Sequence, residues 1–334
     1  MSAIPEIPID EPIPLPRRGS WPAAVHVFDK RSANAIRMAL AAERPLLVRG
    51  EPGIGKSQLA RAAAEQLGRL FVSEVVHARS EPADLQWRFD AVARLGEAQA
   101  LGAGGPAAAG EDTQSVLAPD LYLSPGPLWW TFDWDSADAQ HQRCRHPGRR
   151  PEPPAGWEER PAAERGAVVL IDEIDKAEAD LPNGLLETLG NGAFPVPYRH
   201  DPVSHAAGPP PLVVITTNEE RELPGAFQRR CLVLQLTLPP DDSEALIDRL
   251  MDRGAKHFPD IHADVRREAA VQLQRDRKDA RRYGITPPGQ AEYLDMLRAL
   301  HAIAPGTSKA RVQAQLDLLQ EIAEFALRKG PRQS

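Results

Sequence analysis

Gly50-Glu51-Pro52-Gly53-Ile54-Gly55-Lys56-Ser57 decides how this chain folds. The octapeptide fits G-x-x-x-x-G-K-[ST], a loop whose backbone amides cradle nucleotide phosphates. Its flanks agree with that reading. The apolar run Pro45-Leu46-Leu47-Val48 before it reads as a buried strand. After it, Leu59, Ala60, Ala63, Ala64 and Leu67 recur at helical spacing, and Gly68 is a stop signal. The amides of Gly53, Gly55, Lys56 and Ser57 are expected to point at phosphate oxygens, at the positive end of the helix dipole. Gly50, Pro52, Ile54 and Gln58 complete the expected nucleotide-contacting set. Lys56 is expected to reach the β- and γ-phosphates, and the Ser57 hydroxyl to bind Mg²⁺.

Two further strands extend the pattern. Ala167-Val168-Val169-Leu170-Ile171 is apolar without a break, which means burial on both faces, as in a parallel sheet covered by helices. It ends in Asp172-Glu173-Ile174-Asp175, and the C-terminal ends of such strands are where ligands bind in open α/β sheets. Asp172 is expected to hold the water shell of Mg²⁺, and Glu173 to orient and polarise an attacking water. Acids that merely cap the next helix look the same. It is the pairing with a phosphate loop that gives these acids a role. Leu212-Val213-Val214-Ile215-Thr216-Thr217 reads as another buried strand, ending in Asn218. Asn218 is expected beside the acidic strand, hydrogen-bonded to the γ-phosphate or the water. Farther on come Arg229 and Arg230. Alone, a paired arginine is a solvated surface feature; after a strand of this kind it reads as an arginine finger. Arg229 is favoured, because Arg230 adjoins the apolar run Cys231-Leu232-Val233-Leu234.

The order phosphate loop, Asp-Glu strand, Asn strand and arginines resembles the AAA+ ATPases over roughly residues 22 to 330. Asp172-Glu173-Ile174-Asp175-Lys176 is similar to the acidic motif of the MoxR-type and dynein-related branch. Thr217-Asn218, Leu223-Pro224 and Arg229-Arg230 resemble its sensor and finger segment. The resemblance implies an α/β phosphate-loop core with a parallel sheet flanked by helices, followed by a small all-helical lid. It implies Mg²⁺-dependent ATP hydrolysis in a ring, usually of six, in which one subunit's arginine completes the next subunit's site. It also implies a protein partner, often one with a von Willebrand factor A domain. The chain departs from the branch at Gly284-Ile285-Thr286-Pro287-Pro288, where a proline stands in place of a second sensor arginine. Either Arg281 or Arg282 substitutes, or that contact is missing.

The 334 residues suit a large and a small domain. The expected division is a proline-rich arm over 1–20, extended or disordered, a nucleotide-binding domain over 21–239 with insertions near 84–130 and 136–165, and a lid over 240–330. Net charge is −7, which disfavours a protein living on nucleic-acid backbone. The basic stretches Arg143–Arg150 and Arg275–Arg282 read as a solvated loop and a solvated helix face. Two cysteines, Cys144 and Cys231, give no disulfide framework and suit a reducing cytoplasm. His141, Cys144 and His146 are too few for a metal site. No apolar run reaches the length of a membrane span, and no secretion signal is expected. Two rival functions share the core: a nucleic-acid motor or restriction-type GTPase, whose mark is salt-dependent DNA affinity, and a nucleotide-gated switch that barely hydrolyses.

Smaller expectations fill the gaps. Ser32–Ala42 reads as a helix with Ala35, Ile36, Met38 and Ala39 inward. Val25-His26-Val27-Phe28 resembles the family stretch that lies against adenine. Leu70–Val76 reads as a strand, Ala83–Ala100 as helical and Gly102–Gly110 as a flexible loop tip. In the resembling family, the stretch up to Trp130 is where an insertion interrupts the second helix and engages partners. Trp129, Trp130 and Trp134 read as core packing. Residues 136–165, rich in Pro and Arg, read as a long excursion or disorder. Leu181–Leu189 reads as a helix stopped by Gly190-Asn191-Gly192, and residues 194–211 as a hairpin-like insertion. Helical patterns recur from Asp242 or Ser243 onward, at Ala263–Gln274, Ala291–Ile303 and Lys309–Arg328.

Overall fold

The computed structural model describes residues 4–103, 117–205 and 208–323. Its strands are β1 Pro12–Leu15, β2 Ala24–Val27, β3 Leu46–Arg49, β4 Leu70–Val75, β5 Trp87–Phe89, β6 Leu123–Pro125, β7 Ala167–Asp172, β8 Ala193–Phe194, β9 Val203–Ser204, β10 Leu212–Thr217 and β11 Leu232–Gln235. Five of them form a parallel sheet in the order β11-β3-β10-β7-β4. Parallel neighbours need long crossovers. Helices supply them at Lys56–Leu67 after β3, Asp180–Asn191 after β7 and Gly225–Arg230 after β10. Every residue of β10 is buried, as are Ala167–Ile171 of β7. That two-sided burial is why both strands read as unbroken apolar runs. With the helices that follow Asp242, this is the expected α/β phosphate-loop core and helical lid.

The chain divides into two compact units. One comprises residues 34–47 and 63–233, with the stretch up to Glu6. Its core joins Leu70, Val169, Ile171, Val213 and Ile215 of the sheet to Trp129, Trp130, Trp134 and Trp157. The tryptophans thus pack as expected. The other comprises residues 7–33, 48–62 and 234 onward. Its helices Glu244–His257, Ala263–Arg282, Gln290–Ile303 and Lys309–Ala323 close around Leu246, Leu250, Leu273, Tyr293 and Leu297.

Several expectations need correction. Residues 12–15, placed in an extended or disordered arm, pair antiparallel with β2 as strand β1. Met38 is 60% exposed, because the inward positions of the helix Lys30–Ala42 are Ala33, Ile36 and Ala39. Ala83–Ala100 is not one helix. Trp87–Phe89 pairs with Leu123–Pro125, and the Asp90 carboxylate accepts from the Ala93 amide at 2.7 Å to start a new helix, Ala91–Ala103. Residues 136–165 are not an open excursion. The helix Trp134–Arg143 opens the stretch, Arg150 pairs with Asp138 and Glu158 at 2.6 Å each, and Trp157 is 1% exposed with Nε1 donating to Gly166 O at 3.1 Å. The helix over 181–189 runs Asp180–Asn191, and β8 and β9 form the expected hairpin. The glycine-rich tip from residue 104 and the end of the last helical pattern lie outside the described residues. Among the described residues no helix is long and apolar enough to cross a membrane.

Candidate active site

The phosphate loop belongs to the unit that also holds the C-terminal helices, and those helices grip it. The Ala291 amide, in the first turn of Gln290–Ile303, donates to Gly53 O at 2.8 Å. Glycine is demanded on both sides of this approach. A Cβ on Gly289 would stand 2.6 Å from Pro52 O, and one on Gly53, whose φ is +74°, would stand 2.8 Å from Glu292 Oε2. Lys56 opens the helix Lys56–Leu67 and is 7% exposed. Its ammonium donates to Gly50 O at 2.7 Å and Glu51 O at 3.0 Å, so the charge is held over the loop's own backbone. Ser57 and Gln58 follow it, both half-buried, and Gln58 Oε1 is buried with no hydrogen-bond partner among the described residues.

Glu51 is held by two arginines one helical turn apart. Arg277 Nη2 donates to Glu51 Oε2 at 2.8 Å and Arg281 Nη2 to Glu51 Oε1 at 2.6 Å. Both also reach Asp241, Arg277 Nε at 2.6 Å. Arg277 is 1% exposed and adds a bond to Pro288 O at 2.6 Å. Burial pushes the Glu51 and Asp241 carboxyls up, but the hydrogen bonds and charges of the two arginines outweigh it and hold both below the usual carboxylate range. The stretch Arg275–Arg282 is therefore not simply a solvated face. Arg277 reaches the carbonyl of Pro288, the residue expected in place of a second sensor arginine. Both candidate substitutes are exposed, and of the two Arg281 engages Glu51 of the loop. Arg277 escaped the sequence reading, because its partners Asp241 and Glu51 lie far away in the chain.

The acids belong to the other unit. Pairing of Ile215 with Ile171 brings Thr216 opposite Asp172. Thr216, fully buried, donates its hydroxyl hydrogen to Asp172 Oδ1 and accepts from the Glu173 amide at 3.0 Å. One side chain thus sets both acids. Glu173 has φ 58° and ψ 47°, a left-handed conformation that costs a non-glycine residue roughly 1–2 kcal/mol. Such strain persists where the surroundings over-determine it, and it clusters at functional sites. Asn218 follows β10, and its Nδ2 donates to Glu173 Oε1 at 3.3 Å. The expected trio of Asp172, Glu173 and Asn218 is therefore brought together, with Thr216 as a member the sequence reading passed over. Asp175, 1% exposed, accepts from the Glu220 amide at 3.0 Å.

Arg229 and Arg230 end the six-residue helix Gly225–Arg230, and both are exposed. Leu232 N donates to Pro45 O at 2.8 Å, which puts the arginine pair at the start of β3.

No protein-family profile and no curated protein matches the chain. Solved structures do. A variant of RuvB from Thermotoga maritima is similar at 15% identity over 88% of this chain and 70% of its own, with a TM-score of 0.43. A second variant gives 14%, 86%, 67% and 0.39. A candidate ATPase from Cytophaga hutchinsonii gives 12%, 91%, 89% and 0.37. Likenesses this distant assign no activity. The fold stands on the sheet order and the helical unit of this chain itself.

Proposed function

We propose that this chain is an AAA+ ATPase of the MoxR type that hydrolyses ATP with Mg²⁺ in a ring and uses turnover to remodel a protein partner. The observation that carries the reading is the arrangement of Thr216, Asp172, Glu173 and Asn218 at the ends of two adjacent parallel strands, in a chain that also has a complete phosphate loop running into a helix. The residues present suit the nucleotide and its metal. Ser57 and Asp172 offer oxygen donors, the chemistry of a hard divalent cation. Among the described residues no three His, Cys, Asp or Glu converge on a metal site. A nucleotide-bound Mg²⁺ asks for no such cluster, because phosphates and waters fill most of its shell. Mg²⁺ bound there supplies neutralisation of charge on the β- and γ-phosphate oxygens.

The chain's own groups do the rest. The loop amides and Lys56 hold the phosphates. Glu173, aimed by Thr216 and Asn218, holds and polarises a water in line with the γ-phosphate. Little covalent chemistry is asked of the protein, and catalysis is positioning and electrostatics. Arg229 and Arg230, at the start of β3, are assigned to a neighbouring subunit's nucleotide. The functional division we propose, a nucleotide-binding domain over 21–239 and a lid over 240–330, differs from the packing units, because the phosphate loop packs with the C-terminal helices. The MoxR branch, the six-membered ring and the von Willebrand factor A partner are supported by the sequence resemblance, and the cytoplasmic setting by two cysteines that give no disulfide framework.

Glu173→Gln tests the reading. The amide keeps the shape but no longer polarises water. ATP binding is expected to persist while single-turnover hydrolysis falls at least 10²-fold, on the order expected for loss of a general base. Hydrolysis at the wild-type rate would show that another residue directs the water.

A further inference from the structure

The helix that carries Arg229 and Arg230 is short, and its last carbonyls have no partners within the helix. One distant side chain takes them. Arg44 Nε donates to Arg230 O at 3.0 Å, and Arg44 Nη2 donates to Arg229 O and to Cys231 O, the latter at 3.4 Å. A guanidinium is a rigid planar fork, so three carbonyls held by one fork cannot turn independently. At its other end the helix is fixed by Phe227, fully buried, and by Gln228, whose Nε2 donates to Leu223 O at 2.8 Å.

Arg44 is itself firmly set. The helix Lys30–Ala42 ends with Glu43 at φ 52° and the Arg44 amide donating to Ala39 O at 3.2 Å, a closure that ordinarily uses glycine. Pro45 follows directly, and its carbonyl accepts from Leu232. Arg44 is therefore launched from a fixed point where β3 and β11 begin, and it reaches across to the end of the helix. Contacts made only for packing would not need this aim. What the guanidinium fixes is the backbone from which two exposed arginine side chains depart.

We propose that Arg44 is a positioning residue for the Arg229–Arg230 pair, holding it in the orientation needed at a neighbouring subunit's nucleotide. This rests on the assignment of that pair under the function proposed above. Arg44 touches no substrate, so its loss should act on turnover and leave ATP binding alone. A misplacement of about 1 Å at a catalytic group costs about 10²-fold in rate.

The test uses the full chain and three measurements: steady-state ATPase, ATP affinity by calorimetry and ring assembly by sedimentation. Arg44→Gln is expected to lower kcat about 10²-fold, with KM and ATP affinity unchanged and rings intact. Arg44→Lys, which still donates to the carbonyls but from a single point, is expected to fall between Gln and wild type. Mixing Arg44→Gln with Glu173→Gln subunits separates positioning from folding. The first keeps a working acid, the second a correctly set arginine pair, and mixed rings should regain activity at interfaces that combine them. The proposal is overturned if Arg44→Gln keeps kcat within twofold of wild type. It is overturned equally if rings fail to form, or if rings form and mixing restores nothing. A wild-type chain without ATPase activity would instead sink the function on which it rests, and a failure of that kind is seen before any variant is made.

Discussion

The two sets of residues expected to meet the nucleotide are held by opposite means. In the sheet unit, Asp172 and Glu173 are fixed by a buried threonine hydroxyl and an asparagine amide. In the helical unit, the phosphate loop is fixed by charges, with Arg277 and Arg281 gripping Glu51 and Asp241. Short hydrogen bonds from neutral side chains buried in a sheet are little screened by salt. Ion pairs are screened wherever they meet water, and here one arginine is 1% and the other 52% exposed. The acid side is thus built for constancy, which suits groups that must aim a water within fractions of an ångström. The loop side is built from contacts that can be exchanged, since a guanidinium takes a phosphate with the same fork it offers a carboxylate. Under the proposed function, the difference separates the part that performs chemistry from the part that responds to what is bound.

The largest expected effect comes from breaking the charged side. Arg277→Met removes the buried member of the network and leaves Glu51 and Asp241 to Arg281 alone. Loss of one partner from a buried pair costs about 3 kcal/mol, read as a lower denaturant midpoint for unfolding of the helical unit. If the variant unfolds at the wild-type midpoint, the network is ornamental to the fold and the contrast between the two sides fails.

Breaking the neutral side should cost less in stability and show itself in turnover. Thr216→Val keeps the shape but strands the Glu173 amide and removes the hydroxyl's bond to Asp172. An unsatisfied buried donor costs about 2 kcal/mol. Misaimed acids should cost about 10²-fold in kcat, with ATP affinity unchanged. The sharper prediction is that this loss is the same at low and high salt. A salt-dependent loss would mean that charges, and not the hydroxyl, hold the acids.

Which of these features was legible beforehand follows the same divide. Strands β7 and β10 announce themselves, because burial on both faces requires unbroken apolar runs, and the glycine loop and Asp172-Glu173 are contiguous in the chain. Arg277 is invisible for a physical reason. Its burial depends on Asp241 and Glu51, 36 and 226 residues away, so nothing in its own basic stretch separates it from solvated neighbours. Arg44 is hidden likewise, since its partners are carbonyls that any sequence would provide. Composition misled over 136–165, where arginines and prolines suggest an excursion but Trp157 and the Arg150 pairs tie the stretch down. Met38 was turned the wrong way by hydrophobicity alone, although the helix buries the smaller Ala33 and Ala39 instead.

The smallest expected effect sharpens the contrast through protons. In the helical unit, burial foremost, then the charges of Arg253, His257 and Arg249 against the opposing Asp29, press His26 down to about 3. Burial and then Arg253 and Arg298 press His257 down to about 4. In the sheet unit His141 is also lowered, by burial first, with Arg150 assisting and Asp138 opposing. A histidine whose folded pKa is depressed is accepted by the fold only when neutral. The unfolded chain takes up its proton near pH 6.5, so below that pH it binds more protons than the native state, and stability falls as the medium is acidified. The slope is at most about 1.4 kcal/mol per pH unit for each group, approached between the folded and the unfolded pKa. Thermal melts between pH 7.5 and pH 5 should therefore show the helical unit weakening first. The check is a slope and not a single stability: whatever replacing both residues, His26→Gln and His257→Gln, does to each melting temperature, it should flatten their dependence on pH below 6.5. If the doubly substituted chain keeps the wild-type slope, the acid response comes from elsewhere, and the carboxylates Glu51 and Asp241 would be next to examine, although their lowered pKa values confine their contribution to more acidic conditions.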